Sequence, residues 1–132
     1  MYIDNLLTPS AIGKRRRMYR LLGPDGKGII VPLDDNLISS RPEGLRFFQN
    51  KLSEIEKGKP NAILCYFGTA STISDFGIPL IMNISASTVQ STHTKKVIVS
   101  TVQQAVALDA VAVAVHINVS SRYESEMIAN LG

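Results

Sequence analysis

An apolar run in the first quarter of this chain ends abruptly in carboxylates. Gly28–Leu33 is followed at once by Asp34, Asp35 and Asn36. Strands of a parallel sheet are buried on both faces and read as continuous apolar runs, and active-site groups cluster just beyond their carboxyl ends. We therefore predict a buried parallel strand and take Asp34 as the first catalytic candidate. The alternative is that these polar residues are turn formers that close the strand.

Similar apolar runs recur along the chain and alternate with helix-like stretches, which is typical of βαβ units. With 132 residues and 45% hydrophobic content, the chain can bury one core. We predict one partial domain over residues 1–132, with an N-terminal helix and turn at 1–27 and about four βα units over 28–132. The predicted strands are Gly28–Leu33, Ala62–Phe67, Leu80–Ser85 and Val111–Val119, with a short extra run at Lys95–Val99.

Four βα units are half of the eight that close a (β/α)8 TIM barrel, which typically needs about 250 residues. The predicted fold class is therefore α/β, half of a TIM barrel. A doubly wound α/β fold uses the same repeating unit and is the alternative. No glycine-rich phosphate loop follows the first strand, however, where a dinucleotide-binding fingerprint would lie.

Two of the intervening helices carry clear local signals. Ser100 with Gln103, or Thr101 with Gln104, offers a capping box for a helix that runs to about Leu108. The helix after the first strand has apolar residues at intervals of three and four, with a proline suited to its first turn: Pro42, Leu45, Phe48, Leu52 and Ile55.

The last predicted strand alternates more regularly than any other segment. In Val111–Val119 the odd positions are branched and apolar, whereas the even ones pass from alanine to His116 and Asn118. If the branched face packs on outer helices, the even face points into the barrel lumen and becomes more polar toward the carboxyl end. His116 and Asn118 are then lumen residues. A histidine with satisfied hydrogen bonds in the core is the alternative for His116.

The net charge of +3 is unevenly distributed along the sequence. No zinc-ligand spacing, aromatic RNA-binding signature or recognition-helix pattern accompanies the basic residues, so we expect no nucleic-acid partner. We predict an amphipathic helix over Lys14–Leu22, with Met18, Leu21 and Leu22 packed inward and the arginines solvated or reaching acidic surface. The basic cluster comprises Lys14, Arg15, Arg16, Arg17 and Arg20.

Two sequence features bear on location and redox chemistry. No apolar stretch approaches the roughly 20 residues that span a bilayer, and no apolar signal core precedes a small-residue cleavage site. We expect a cytoplasmic protein without a membrane partner. Cys65 is the single cysteine, lies within an apolar run, and is predicted to be an inert core residue.

Four stretches carry a resemblance to a known family. Val31–Asn36 is similar to the end of its first strand, and Ile84–Thr88 to the end of its third; Lys95–Val102 and His116–Ser120 match further along. In order and spacing these stretches resemble the archaeal-type class I aldolases, the group that contains fructose-bisphosphate aldolase and 2-amino-3,7-dideoxy-D-threo-hept-6-ulosonate synthase. The resemblance implies the N-terminal half of a TIM barrel.

The resemblance also implies a reaction. It is carbon–carbon bond formation or cleavage on a phosphorylated ketone or aldehyde, through a lysine Schiff base and with no metal or other cofactor. On the matching positions, Asp34 would be the proton-transfer carboxylate. The substrate-binding residues that we predict are Asp35, Asn36, Leu37, Ile38, Ser85, His116 and Asn118.

The departures from the family pattern are as informative as the matches. Asp35 replaces the family's histidine and Asn36 its glycine, which adds a carboxylate at the mouth. The family carries its tyrosine acid, Schiff-base lysine and phosphate loops on strands five to eight, and neither Lys95 nor Lys96 ends a strand as the family lysine does. We expect residues 1–132 to be catalytically inactive on their own. The alternative is a non-catalytic half-barrel interaction module, which pairs with itself as a homo-oligomer or with a complementing C-terminal half.

Overall fold

The computed structural model describes residues 8–34, 48–73, 76–87 and 93–132. These residues form a parallel sheet with helices, as an α/β chain should. The helices are α1 (Pro9–Leu21), α2 (Phe48–Gly58), α3 (Phe67–Ala70), α4 (Val102–Ala107) and α5 (Glu124–Ala129). The strands are β1 (Ile30–Pro32), β2 (Ala62–Tyr66), β3 (Leu80–Asn83), β4 (Ser85–Ala86), β5 (Val97–Ile98) and β6 (Ala112–Ala114).

The main sheet of the described residues has four strands in the order β1-β2-β3-β6, all parallel. Each strand is reached from its neighbour through a crossover, so the carboxyl ends of all four strands meet at one edge. This arrangement confirms the predicted α/β class and the four parallel strands. β4 and β5 form a separate antiparallel pair beyond the end of β3.

The two faces of the sheet are covered differently. On the outer face, Ile63 and Cys65 are buried under helical and loop side chains such as Ala70 and Ile55. On the inner face, Leu21 packs against a cluster of small and branched side chains: Ala62, Ile81, Val111, Leu64, Ala112 and Ala114. The end of α1 therefore closes the amino-terminal side of the inner face by burying apolar surface there.

Thr8 caps the start of α1: its hydroxyl accepts a hydrogen bond from the Ala11 amide, and Pro9 is the first helical residue. Leu21 is buried and Leu22 packs beside it, as predicted. Met18 is 40% exposed, so its predicted inward packing is wrong. It lies one turn before the point where α1 meets the sheet, and it is therefore left facing solvent.

One arginine of the basic cluster reaches an acidic residue far along the chain. The Arg20 guanidinium donates to both carboxylate oxygens of Asp109, at 3.1 and 3.5 Å. This pair ties α1 to the turn that follows α4. It confirms the expectation that an arginine of the cluster contacts acidic surface.

Three predicted strand boundaries are wrong in detail. Phe67 begins α3 instead of ending β2. The run Leu80–Ser85 divides after Asn83, because Ser85 and Ala86 turn away to pair with β5. The run Val111–Val119 pairs only over Ala112–Ala114, since β3 offers ladder partners over that length alone.

The helix signals are confirmed where the structure describes them. Leu52 is buried and Ile55 partly buried in α2, whereas Pro42 and Leu45 lie outside the described residues. Of the two capping boxes at α4, Thr101 and Gln104 form both reciprocal hydrogen bonds. Among the described residues, no helix is long and apolar enough to cross a bilayer.

Candidate functional site

The carboxyl edge of the sheet brings three polar side chains to one level. The register pairs Pro32 with Leu64 and Tyr66 with Asn83. Two residues beyond Pro32, Asp34 is therefore level with Tyr66 and Asn83. Directly paired residues of parallel strands project from the same face, so these three positions share the inner face of the sheet.

Asn83 connects to Asp34 across the intervening strand. Its Nδ2 donates to Asp34 Oδ2 at 2.8 Å. Its Oδ1 accepts hydrogen bonds from the backbone amide and the hydroxyl of Ser85, at 3.0 and 3.3 Å. The two donors at Oδ1 fix the orientation of the buried Asn83 amide, so that its NH2 group must face the carboxylate.

A second set of hydrogen bonds continues from Ser85 to the fourth strand. The His116 backbone amide donates to Ser85 Oγ at 2.8 Å, and His116 Nε2 lies 3.1 Å from Asn118 Oδ1. Asn118 Nδ2 donates to the carbonyls of His93 and Thr94 at 3.3 and 3.1 Å. Since Oδ1 of Asn118 can only accept, this contact requires a proton on Nε2 of His116.

The structure thus joins four predicted site residues in one hydrogen-bonded chain, namely Asp34, Ser85, His116 and Asn118. Their predicted roles in substrate binding and proton transfer remain predictions. The other four, Asp35, Asn36, Leu37 and Ile38, lie outside the described residues.

Asn83 is the link that the sequence analysis missed. It ends the apolar run Leu80–Asn83, in the same way that Asp34 follows the first apolar run. The rule that selected Asp34, a polar residue at the carboxyl end of a buried strand, would also have selected Asn83. Placing the end of this strand at Ser85 hid that signal.

An open cleft of about 390 Å³ lies at this edge of the sheet. Asp34, Asn83 and His116 supply its polar groups, and Leu64, Ala114, Val115 and Ile117 its apolar wall. The cleft presents more polar than apolar surface to solvent, and three polar side chains converge on it, which suits a small polar ligand. Within the described residues, no three His, Cys, Asp or Glu side chains converge in a way that could hold a metal ion.

Cys65 lies on the outer face of the sheet, directly behind this edge. It is fully buried, and burial raises the pKa of its thiol to about 11, with the negative charge of Asp34 adding to the rise. The thiol is therefore neutral near pH 7. A neutral buried thiol is a poor nucleophile, in agreement with the predicted inert core residue.

All seven lysines of the sequence fall within the described residues, and none of them lines the cleft. Two of them, Lys95 and Lys96, immediately precede β5. Lys95 Nζ forms an ion pair with Glu126 at 3.0 Å, whereas Lys96 Nζ donates to Ser87 Oγ at 2.7 Å. A Schiff-base amine must reach the substrate carbonyl, and the described cleft offers no such amine.

Comparison with known proteins identifies the family. Residues 29–132 match the model of the DeoC/LacD family aldolases. The chain belongs to the DeoC/LacD aldolase family. It is also 33% identical, over 126 residues, to 2-amino-3,7-dideoxy-D-threo-hept-6-ulosonate synthase 1 of Archaeoglobus fulgidus. That alignment covers 92% of this chain and 47% of the synthase.

Solved aldolase structures share the fold. An archaeal fructose 1,6-bisphosphate aldolase superposes with a TM-score of 0.76 at 22% identity, over 89% of this chain and 49% of the aldolase. A Schiff-base-forming fructose-1,6-bisphosphate aldolase gives a TM-score of 0.72 at 23% identity, again over half of its length. The DeoC/LacD chain described here therefore spans about half the length of the relatives that it matches, and its fold corresponds to half of a TIM-barrel aldolase.

Proposed function

We propose that this chain carries the N-terminal half of a class I (Schiff-base) aldolase or transaldolase-type active site. The reaction would form or cleave a carbon–carbon bond of a ketose phosphate, such as fructose 1,6-bisphosphate or a keto sugar phosphate. The observation that carries the proposal is the 2.8 Å hydrogen bond from Asn83 to Asp34 at the carboxyl edge of the sheet. It holds a carboxylate where TIM-barrel enzymes bind substrate.

Asp34 is the proton-transfer residue in this proposal. Asn83 occupies its Oδ2, and among the described residues no other side chain bonds Oδ1. In the cleavage direction, Oδ1 takes the proton from the hydroxyl on the carbon that becomes the aldehyde. The electron pair of the breaking carbon–carbon bond then moves to the iminium formed between lysine and ketone.

The remaining predicted residues would border the substrate. His116 lines the cleft beside Asp34, while Ser85 and Asn118 hold the backbone and imidazole of His116 in place. Substrate contacts are also proposed for four residues, and these rest on the family resemblance alone: Asp35, Asn36, Leu37 and Ile38.

The Schiff-base lysine would come from a C-terminal half-barrel, in the same polypeptide or in a separate one. None of the seven lysines lines the described cleft, and the aligned region covers 47% of the Archaeoglobus synthase. We therefore expect residues 1–132 alone to form no Schiff base.

Borohydride trapping tests this proposal. We expect the 14.4 kDa chain to show no mass increase after incubation with dihydroxyacetone phosphate and borohydride. Fusion to the part of the Archaeoglobus synthase that it does not align with should give an adduct and turnover of a ketose phosphate. In that fusion Asp34→Asn should lower kcat by roughly 100-fold or more, the usual scale of general acid–base catalysis.

Asp109→Asn is the matched control, because Asp109 is exposed and pairs with Arg20 away from the cleft. It removes the same charge and should leave turnover within twofold. An Asp34→Asn fusion with unchanged turnover would refute the role of Asp34. An adduct on the 14.4 kDa chain alone would refute the need for a second half.

A non-catalytic half-barrel module is the second candidate, favoured by the edges of the sheet. Ile30 on β1 is 48% exposed and Val113 on β6 is 38% exposed. Open edges with apolar side chains invite pairing, so two copies or two halves could close eight strands. Light scattering would show a dimer of twice 14.4 kDa if the chain pairs with itself, and a monomer would count against self-pairing.

A further inference from the structure

Two adjacent lysines immediately before β5 have different electrostatic surroundings. Lys95 Nζ lies 3.0 Å from a carboxylate oxygen of Glu126 and 4.8 Å from the centre of the Tyr123 ring. Lys96 is half-buried, and its Nζ donates to the hydroxyl of Ser87 at 2.7 Å. Within the described ranges, no carboxylate lies within 4.0 Å of Lys96 Nζ. Its positive charge is therefore unmatched there.

Lys96 also lies close to the hydrogen-bonded chain of the candidate site. Ser87 is buried, and its hydroxyl donates to the His93 carbonyl at 3.3 Å. The same carbonyl accepts a hydrogen bond from Asn118 Nδ2. The ammonium group is thus connected through Ser87 and His93 to Asn118, at the carboxyl edge where parallel α/β folds bind ligands.

The surroundings of Lys96 favour an anionic ligand. A lysine ammonium has three N–H donors, and the hydroxyl of Ser87 uses one of them. Partial burial weakens the hydration of the charge, and a neutral hydroxyl does not replace a counter-charge. A compact anion would accept the remaining donors and neutralise the charge, which is how lysine binds phosphate.

We propose that the Lys96 ammonium, held in position by the Ser87 hydroxyl, forms an anion subsite at the carboxyl edge of the sheet, which binds a phosphate group of the substrate. The assignment of that phosphate to a sugar substrate rests on the proposed function. The binding of phosphate by Lys96 does not, because it requires neither Asp34 nor a Schiff-base lysine.

A titration with inorganic phosphate tests the subsite directly. The full 132-residue chain, labelled with 15N, is titrated at constant ionic strength with chloride as the replaced anion. We expect saturable shifts of the backbone amide signals of Ser87 and Lys96. Lys96→Met should weaken phosphate binding at least tenfold, whereas the matched variant Lys95→Met, which removes the same charge one residue away, should change it less than twofold.

Ser87→Ala provides a second variant that leaves every charge in place. It should weaken phosphate binding severalfold. If Lys96→Met does not fold, this variant tests phosphate binding at the Lys96 subsite. Absence of saturable shifts in the wild type, or equal weakening by Lys95→Met and Lys96→Met, would overturn the proposal. Aldol turnover in the fusion depends on Asp34 and is measured separately, so either proposal can fail while the other holds.

Discussion

Asp34 and Asn83 are 49 positions apart in the sequence and two strands apart in the sheet, yet a 2.8 Å hydrogen bond joins their side chains. Strands that are not neighbours lie roughly 9–10 Å apart in a flat sheet, twice the usual interstrand spacing. The two short side chains nevertheless meet above β2, since both project from the inner face at the same level. This contact defines the floor of the candidate site.

Asn83→Asp should destabilise the protein at neutral and alkaline pH. The change keeps an acceptor for Ser85 but places a second carboxylate against Asp34, where an amide donor had been. Loss of a buried hydrogen bond costs about 1–3 kcal/mol. Urea unfolding at pH 8 should show a decrease of that size in the free energy of unfolding.

The pH dependence and a swapped variant provide the controls for this prediction. The introduced carboxyl is easier to protonate in the folded state, so stability should be recovered as pH falls and lost as pH rises. The double variant Asp34→Asn with Asn83→Asp restores a donor and an acceptor, and should recover most of the loss at pH 8. Wild-type stability of Asn83→Asp at pH 8 would show that the contact is not made.

Cys65 should make stability fall in alkaline solution. Its pKa is raised from 9.0 to about 11 in the folded protein, first by burial and then by Asp34. The contribution of the protonated Cys65 thiol to the free energy of unfolding is therefore complete below pH 9 and is lost as pH rises toward 11. A shift of this size corresponds to roughly 2–3 kcal/mol.

The contribution of Cys65 is measured as a difference from Cys65→Ala. Lysines and tyrosines also titrate in this range, and their effects cancel between the two proteins. Urea unfolding from pH 8 to 11 should show a steeper fall for the wild type. Parallel curves, or rapid reaction of the native thiol with a disulfide reagent at pH 7.5, would contradict the assigned burial.

Thr101→Ala should weaken the start of α4. The Thr101 hydroxyl accepts from the Gln104 amide, and the Gln104 side chain accepts from the Thr101 amide. Removal of an N-cap side chain typically costs about 1 kcal/mol. Gln103→Ala is the control, because Gln103 is exposed and lies outside the capping box, and it should change stability by less than roughly 0.5 kcal/mol. Equal effects of the two changes would argue against the cap.

Gly28→Ala should disturb the contact between α1 and the first strand. An added Cβ at this position would lie 2.6 Å from the Leu21 carbonyl oxygen, which is backbone and unable to move aside alone. Overpacking of this kind costs about 1–3 kcal/mol. At Gly68, inside α3, a Cβ meets nothing within 4 Å, so Gly68→Ala should be neutral or stabilising. The comparison is made by thermal unfolding, and a harmless Gly28→Ala would mean that α1 lies farther from the sheet.

Local signals in the sequence were sufficient for much of the fold. The apolar runs predicted the parallel strands, and β2 and β3 are mostly buried as such runs indicate. The predicted burial of β1 is wrong, because β1 lies at the edge of the sheet and is largely exposed. The same rule found Asp34, and the alternation in the last strand placed His116 on the inner face beside it. Boundaries were less accurate, as at Phe67 and Ser85, because the length of a strand depends on its partners.

The sequence by itself determined the α/β class, the succession of apolar strands and helices, and two polar residues of the cleft, Asp34 and His116. The tertiary structure alone decided that Asn83 binds Asp34, and that Lys95 finds a carboxylate whereas Lys96 finds a hydroxyl. The physical reason is the separation in sequence between the residues that interact. Burial patterns and helix caps are properties of neighbouring residues, but these contacts depend on register and sheet curvature, which bring together residues far apart in the chain.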